Sequence, residues 1–305
     1  HRDLHSFPTR RSSDLLKLGR KHAILLPVKI GEVDAQFLLD TGLGFDLISP
    51  QLAQKLGLEA TPDYQVRPVT GGELKLGRAK LSSLAVGKEK ETDLEVLVGD
   101  PGKFVGNGGE TQVDGILSLA FFKERPFTLD FANQQLVLED RDSLAKRKAA
   151  GKRVGCRLSD EKVVASVPLT LTERAPDPPK PGGIAGILST FTGSGGAPDP
   201  PKAWVQVHTG HENLLLNSRL MFTLKVDATG ANITETEPTD PTGQRFRSWA
   251  SHMGRIELED HPTLRLEKAP VVFRKLEAEG VLGQDFLRRY TVTFNLPDSE
   301  LFFSP

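Results

Sequence analysis

The chain has one cysteine, Cys156, among its 305 residues. That excludes an intrachain disulfide framework, and no second Cys or His lies near it at a metal-binding spacing. It also lacks any run of about 18 apolar residues, the length a membrane-spanning helix needs. Neither sign of charge is in excess: 39 basic and 40 acidic residues give a formal net charge of -1. Such a balance creates no broad field for nucleic acid or an anionic membrane, so neither is expected as a partner. The glycine clusters Gly182-Gly183 and Gly193 to Gly196 lack the strand-loop-helix setting and the Lys-Ser/Thr pair of a phosphate loop. Helical periodicity is scarce as well. What remains is a chain long enough for two lobes with a substantial core.

Short β-runs separated by Gly, Pro and Asp dominate the chain. The clearest are Ala23 to Ile30, Gln36 to Leu39, Phe45 to Ser49, Leu74 to Leu76, Leu84 to Val86 and Leu94 to Val98. Gln51 to Leu56 and Phe121 to Arg125 suit short helices, while Asp140 to Lys152 is charged, lacks an apolar face and reads as a solvated connector that is compatible with a helix. Residues 1–15 are polar and aperiodic, and His5 to Leu15 resembles one reading frame of a short-read sequencing adapter. They are therefore set outside the fold, and a leader lost with the true N-terminus would suit a cell-envelope or periplasmic address. The compartment itself stays open.

The strongest signal is a repeat. Asp114 to Leu138 aligns without gaps on Glu279 to Phe303, pairing Asp114-Gly115-Ile116-Leu117-Ser118 with Glu279-Gly280-Val281-Leu282-Gly283. Earlier, Asp40-Thr41-Gly42 meets His208-Thr209-Gly210, Leu47 meets Leu215, and Leu52 meets Leu220. Two blocks in the same order at nearly the same spacing point to internal duplication. The expected plan is a first lobe at 16–139, a connector at 140–162 and a second lobe at 163–305. A Pro/Gly-rich insertion at 173–202 replaces the tight Ile30-Gly31-Glu32 turn of the first lobe.

Chemistry centres on Phe37-Leu38-Leu39-Asp40-Thr41-Gly42, where an apolar strand delivers a carboxylate into a turn. Alone, the tripeptide is also a common strand-closing turn. A Thr hydroxyl there can hydrogen-bond across to a matching Thr and lock two such loops together. The motif is followed by Leu47-Ile48-Ser49 and, farther on, by Asp114-Gly115-Ile116-Leu117 and Pro126 to Phe131. This set resembles the retropepsin and pepsin superfamily, and the first half is most similar to bacterial retropepsin-like domains. The resemblance implies an all-β, two-lobed acid-protease fold with pseudo-two-fold symmetry and few short helices. It also implies an extended peptide or unfolded protein as substrate, held in the cleft between lobes, and water as the nucleophile, so that no metal or organic cofactor is required.

In that family two Asp-Thr-Gly loops meet, and their carboxylates divide the roles of base and acid because like charges in contact cannot both ionise. Here the second carboxylate is replaced by His208. Three readings stay open. Asp40 and a protonated His208 form a catalytic pair, an imidazole having an ordinary pKa of ~6.5. Alternatively, the second lobe is a non-catalytic scaffold and the chain only binds peptides. In the third, first lobes of two chains pair through Asp40 in a homodimer. Thr41, Gly42, Thr209 and Gly210 are expected to support the loops, and Thr70, Gly71 and Gly72 to tip a flap hairpin within Pro68 to Leu76. Leu43 and Ser118 depart from the family pattern. His208 and His211 make a His-x-x-His pair without an evident third ligand, so no metal is expected; His252 and His261 read as surface residues.

Overall fold

The computed structural model describes residues 13–15, 17–18, 23–69, 72–104, 113–159, 164–172, 199–239 and 242–305. Three sheets organise it: one for each lobe and a six-stranded sheet shared between them. The alternation of Leu26, Val28 and Ile30 (inward) with Pro27 and Lys29 (outward) sets the period-two burial of strand Ile24–Ile30. It pairs antiparallel with Val33–Leu39, which ends directly before Asp40. The second lobe repeats the pair as Ala165–Thr172 and Lys202–Val207, ending directly before His208. Most of the expected 173–202 insertion, residues 173–198, lies outside the described residues.

The same crossing pattern then recurs in both lobes. Gly115–Leu117 runs parallel to Val33–Leu39 and antiparallel to Leu47–Ile48, so it threads between them. Gly280–Leu282 does the same between Lys202–Val207 and Leu214–Asn217. Equivalent residues keep equivalent partners: Phe37 opposes Gly115 as Val205 opposes Gly280, and Ile48 opposes Gly115 as Leu216 opposes Gly280. Glycine is needed at these crossings. A Cβ would fall 2.4 Å from the Leu47 carbonyl oxygen at Gly115 and 2.7 Å from that of Leu215 at Gly280.

The shared sheet places Phe127–Asp130 against Thr291–Asn295, with Thr128 directly opposite Thr293, the residue it aligns with in the repeat. Only a residue on a two-fold axis meets its own counterpart, so this pair marks the pseudo-dyad. The two hydroxyls lie 2.7 Å apart, and the Phe127 and Phe294 rings stack at 4.7 Å beside them. One continuous core runs from Leu26 and Phe37 through Phe122, Phe127 and Phe294 into Val205 and Phe273.

Several boundaries differ from the sequence reading. Leu74 to Leu76 and Leu84 to Val86 are parts of one long strand, Leu74–Val86, whose alternating apolar residues continue through the polar stretch between them. Phe121 to Arg125 forms successive turns rather than a helix, with Phe122 N–H donating to Leu119 and Arg125 N–H to Phe122. Burial of both Phe121 and Phe122, and Pro126 immediately after, oppose a helix there. The charged part of the 140–162 connector is helical and solvated, in line with its sequence, while the part after it joins a sheet. Arg141–Ala150 is a helix with an Asp140–Ser143 capping box and no buried residue, but Lys152–Gly155 pairs with Glu300–Ser304 at the edge of the shared sheet. At the opposite edge the backbone of Ser13–Leu15 pairs with Gln135–Leu138, although residues 1–15 were expected outside the fold.

Candidate active site

Each lobe delivers one loop to the pseudo-dyad. Asp40 is fixed by its own N–H, which donates to Leu117 O at 2.9 Å; His208 is fixed by the equivalent bond to Leu282 O at 3.0 Å. The two threonines bind the loops together. The Thr41 hydroxyl donates to Val207 O at 2.8 Å and accepts from Thr209 N–H at 3.1 Å. Reciprocally, the Thr209 hydroxyl donates to Leu39 O at 2.8 Å and accepts from Thr41 N–H at 3.1 Å. The cross-lobe link expected between the two threonines therefore runs from each side chain to the opposite backbone. All four bonds are buried, in surroundings where hydrogen bonds are strong and unpaired groups costly.

Asp40 and His208 meet at the centre. His208 Nδ1 lies 2.7 Å from Asp40 Oδ1, and both side chains are almost wholly enclosed. The ring N–H is not aimed along that vector, so the contact is a close approach of complementary groups and not an aligned hydrogen bond. Oδ1 also accepts from Gly42 N–H at 2.9 Å, while Oδ2 has no hydrogen-bond partner among the described residues. Burial alone would raise the Asp40 pKa. The His208 charge, its proximity and the Gly42 N–H together outweigh burial and hold the carboxyl below its usual range.

The paired glycines are what allow this approach. A Cβ on Gly42 would lie 1.6 Å from the His208 ring, and one on Gly210 would lie 2.1 Å from Asp40 Oδ2. Each lobe's glycine thus makes room for the other lobe's ionisable side chain. His211, half-buried, packs edge-to-face on His208 with ring centroids 4.6 Å apart. Burial foremost, then the His208 charge and Arg274, push its pKa down to about 3, against a smaller opposing pull from Asp40. Among the described residues, no three His, Cys, Asp or Glu side chains gather as a metal site.

The loops open into a cleft of about 860 Å³ between the lobes. Leu43, Phe45, Val66 and Phe104 line its first-lobe side, with Phe45 and Phe104 in edge contact at 5.9 Å. Val272 and Phe246 face them from the second lobe. The expected flap is a hairpin closed by the Val66–Leu74 pair and by an Arg67–Glu73 ion pair at 2.6 Å. It reaches across the cleft: Glu277 N–H donates to Val69 O at 2.9 Å, and Gly72 packs against Thr242. Thr70 and Gly71 lie outside the described residues. Exposed His252 lines a separate depression, and His261 contacts Arg153 O, so neither joins the cleft.

Two polar residues beneath the loops were missed from sequence. Gln284 donates from Nε2 to Thr209 O at 2.5 Å, bracing the His208 loop. Asp46, buried behind the Asp40 loop, accepts from the Ser118 N–H at 2.7 Å and hydroxyl at 3.0 Å. Neither sits in a recognisable motif. The repeat alignment was the available signal, since Asp46 falls on Leu214 and Ser118 on Gly283, two paired differences at one contact.

Residues 26–121 match a family model described as aspartyl protease. The fold is the aspartic-protease fold. No curated protein matches the sequence. Among solved structures, Basic 7S globulin from soybean is similar at 12% identity and a TM-score of 0.52, covering 96% of this chain and 95% of that one. Conglutin gamma, a basic 7S globulin from lupine seeds, follows at 11% identity and 0.51, covering 96% and 94%. A retropepsin-like aspartic protease from Rickettsia conorii is similar at 18% identity and a TM-score of 0.31, covering 44% of this chain and 96% of that one. Both loops keep the Thr-Gly pair, and His208 stands in the second where Asp40 stands in the first.

Proposed function

We propose that the chain is an aspartic-type endopeptidase in which Asp40 and His208 act as an intramolecular acid–base pair. The observation that carries this reading is the 2.7 Å approach of His208 Nδ1 to Asp40 Oδ1 at the floor of the inter-lobe cleft. An extended peptide lies in the cleft. Asp40, ionised over the weakly acidic range, takes a proton from water as its oxygen attacks the scissile carbonyl carbon. The imidazolium of His208 offsets the negative charge that develops and gives its proton to the leaving nitrogen as the C–N bond breaks. Proton return from Asp40 to His208 resets the pair. Pairing of two first lobes through Asp40 is disfavoured because it requires breaking the four buried bonds made by Thr41 and Thr209.

The test is cleavage of an unfolded protein by wild type, Asp40→Asn, His208→Ala and His208→Asp between acidic and neutral pH. Wild type should cut at a rate per molecule independent of enzyme concentration, and Asp40→Asn and His208→Ala should each lose on the order of 10²-fold or more. An inactive wild type beside an active His208→Asp would mean a peptide-binding scaffold. Activity that survives His208→Ala and rises with concentration would mean paired first lobes.

A further inference from the structure

Asp46 lies six residues beyond Asp40, is almost fully buried, and forms no ion pair among the described residues. Its Oδ1 gathers two donors from one residue, the backbone N–H and the hydroxyl of Ser118. The Ser118 hydroxyl accepts in turn from Ala120 N–H at 3.0 Å. Directly before Ser118, Leu117 supplies the carbonyl that accepts the Asp40 N–H at 2.9 Å. At its other end Asp46 is anchored by Leu97 N–H, which donates to the Asp46 carbonyl at 2.9 Å. A short chain of bonds therefore runs from Asp46 through Ser118 and Leu117 to the backbone of Asp40.

The second lobe has the same strand crossing without this chain. Leu214 stands where Asp46 would be, and Gly283 where Ser118 would be. The crossing accordingly forms without a buried carboxyl, and the first lobe retains one at a desolvation cost. Its position beneath the base, and its absence beneath His208, set its role apart from folding.

We infer that Asp46 is a positioning residue for Asp40: by accepting both Ser118 donors it fixes the Leu117 carbonyl and so the placement of the catalytic carboxylate. This rests on the peptidase reading of Asp40. The role needs an acceptor oxygen and not a charge, so Asp46→Asn should preserve it. The double substitution Asp46→Leu with Ser118→Gly recreates the pair that the second lobe already accommodates, which favours a folded variant.

The experiment measures kcat, KM, thermal melting and hydrogen exchange at the Asp40 amide for wild type, Asp46→Asn and the Leu/Gly double variant. In the double variant kcat should fall roughly 10- to 100-fold, the scale of a small misplacement of a reacting group, with KM within about twofold. Asp46→Asn should keep kcat within about threefold of wild type and leave the Asp40 amide equally protected. The amide should exchange faster in the folded double variant. Unchanged kcat and unchanged protection there would overturn the assignment, as would equal losses in Asp46→Asn and the double variant. Should the double variant unfold, loss of kcat in Asp46→Asn with unaltered melting would overturn it instead. Absence of cleavage by wild type would refute the peptidase reading alone, and exchange at Asp40 would still decide the brace.

Discussion

Thr41→Val is the most direct perturbation of the loop junction, because valine keeps the shape of threonine and removes only its hydroxyl. That hydroxyl makes two of the four buried cross-lobe bonds, to Val207 O and from Thr209 N–H. Removing it leaves one buried carbonyl and one buried N–H without partners, in a site where water cannot replace the lost oxygen. An unsatisfied buried group costs about 1–3 kcal/mol, so the variant should lose on the order of 2–6 kcal/mol. Thr209→Val strips the reciprocal two bonds, to Leu39 O and from Thr41 N–H, and should cost about the same. Urea unfolding provides the assay, read as a lower midpoint at unchanged slope. Serine at either position keeps the hydroxyl and should recover most of the loss. A cost below about 0.5 kcal/mol for either valine variant would refute the claim that these bonds hold the lobes in register.

The glycines beside the pair make a second prediction. Gly42→Ala and Gly210→Ala should each displace the opposite lobe's side chain, abolishing most activity and costing about 1–3 kcal/mol of stability, measured by cleavage and melting. Full activity in either would show that the Asp40–His208 approach is not needed. Asp46 gives a pH prediction: burial pushes its pKa up to about 6 against the opposing Ser118 hydrogen bonds. Its folded pKa lies above its unfolded value of 3.8, so the native state binds the extra proton between these pH values. The associated stability is complete below pH 3.8 and is lost as pH rises through about 6, on the order of 3 kcal/mol in all. Asp46→Asn should remove that part of the slope in unfolding free energy against pH; an identical slope would place the titration elsewhere.

The sequence by itself determined the strand-rich fold, the two-lobed plan and which two loops meet between the lobes. Period-two alternation is local, so strands such as Ile24–Ile30 announce themselves, and the repeat fixed which residue must face Asp40. Alignment could name His208 as that partner because equivalent loops in a pseudo-symmetric pair occupy equivalent places. Only the tertiary structure decided how near the two side chains come, since that depends on glycine clearances and threonine bonds crossing between lobes. It also decided that Lys152–Gly155 joins the shared sheet and that Phe121 to Arg125 turns without becoming a helix. Those outcomes rest on pairing with Glu300–Ser304 and on burial of neighbouring phenylalanines, neither of which a local pattern records. Asp46 shows the same limit: nothing in its neighbourhood along the chain reveals that Ser118, brought back by a strand crossing, will turn a lone acid into a support beneath Asp40.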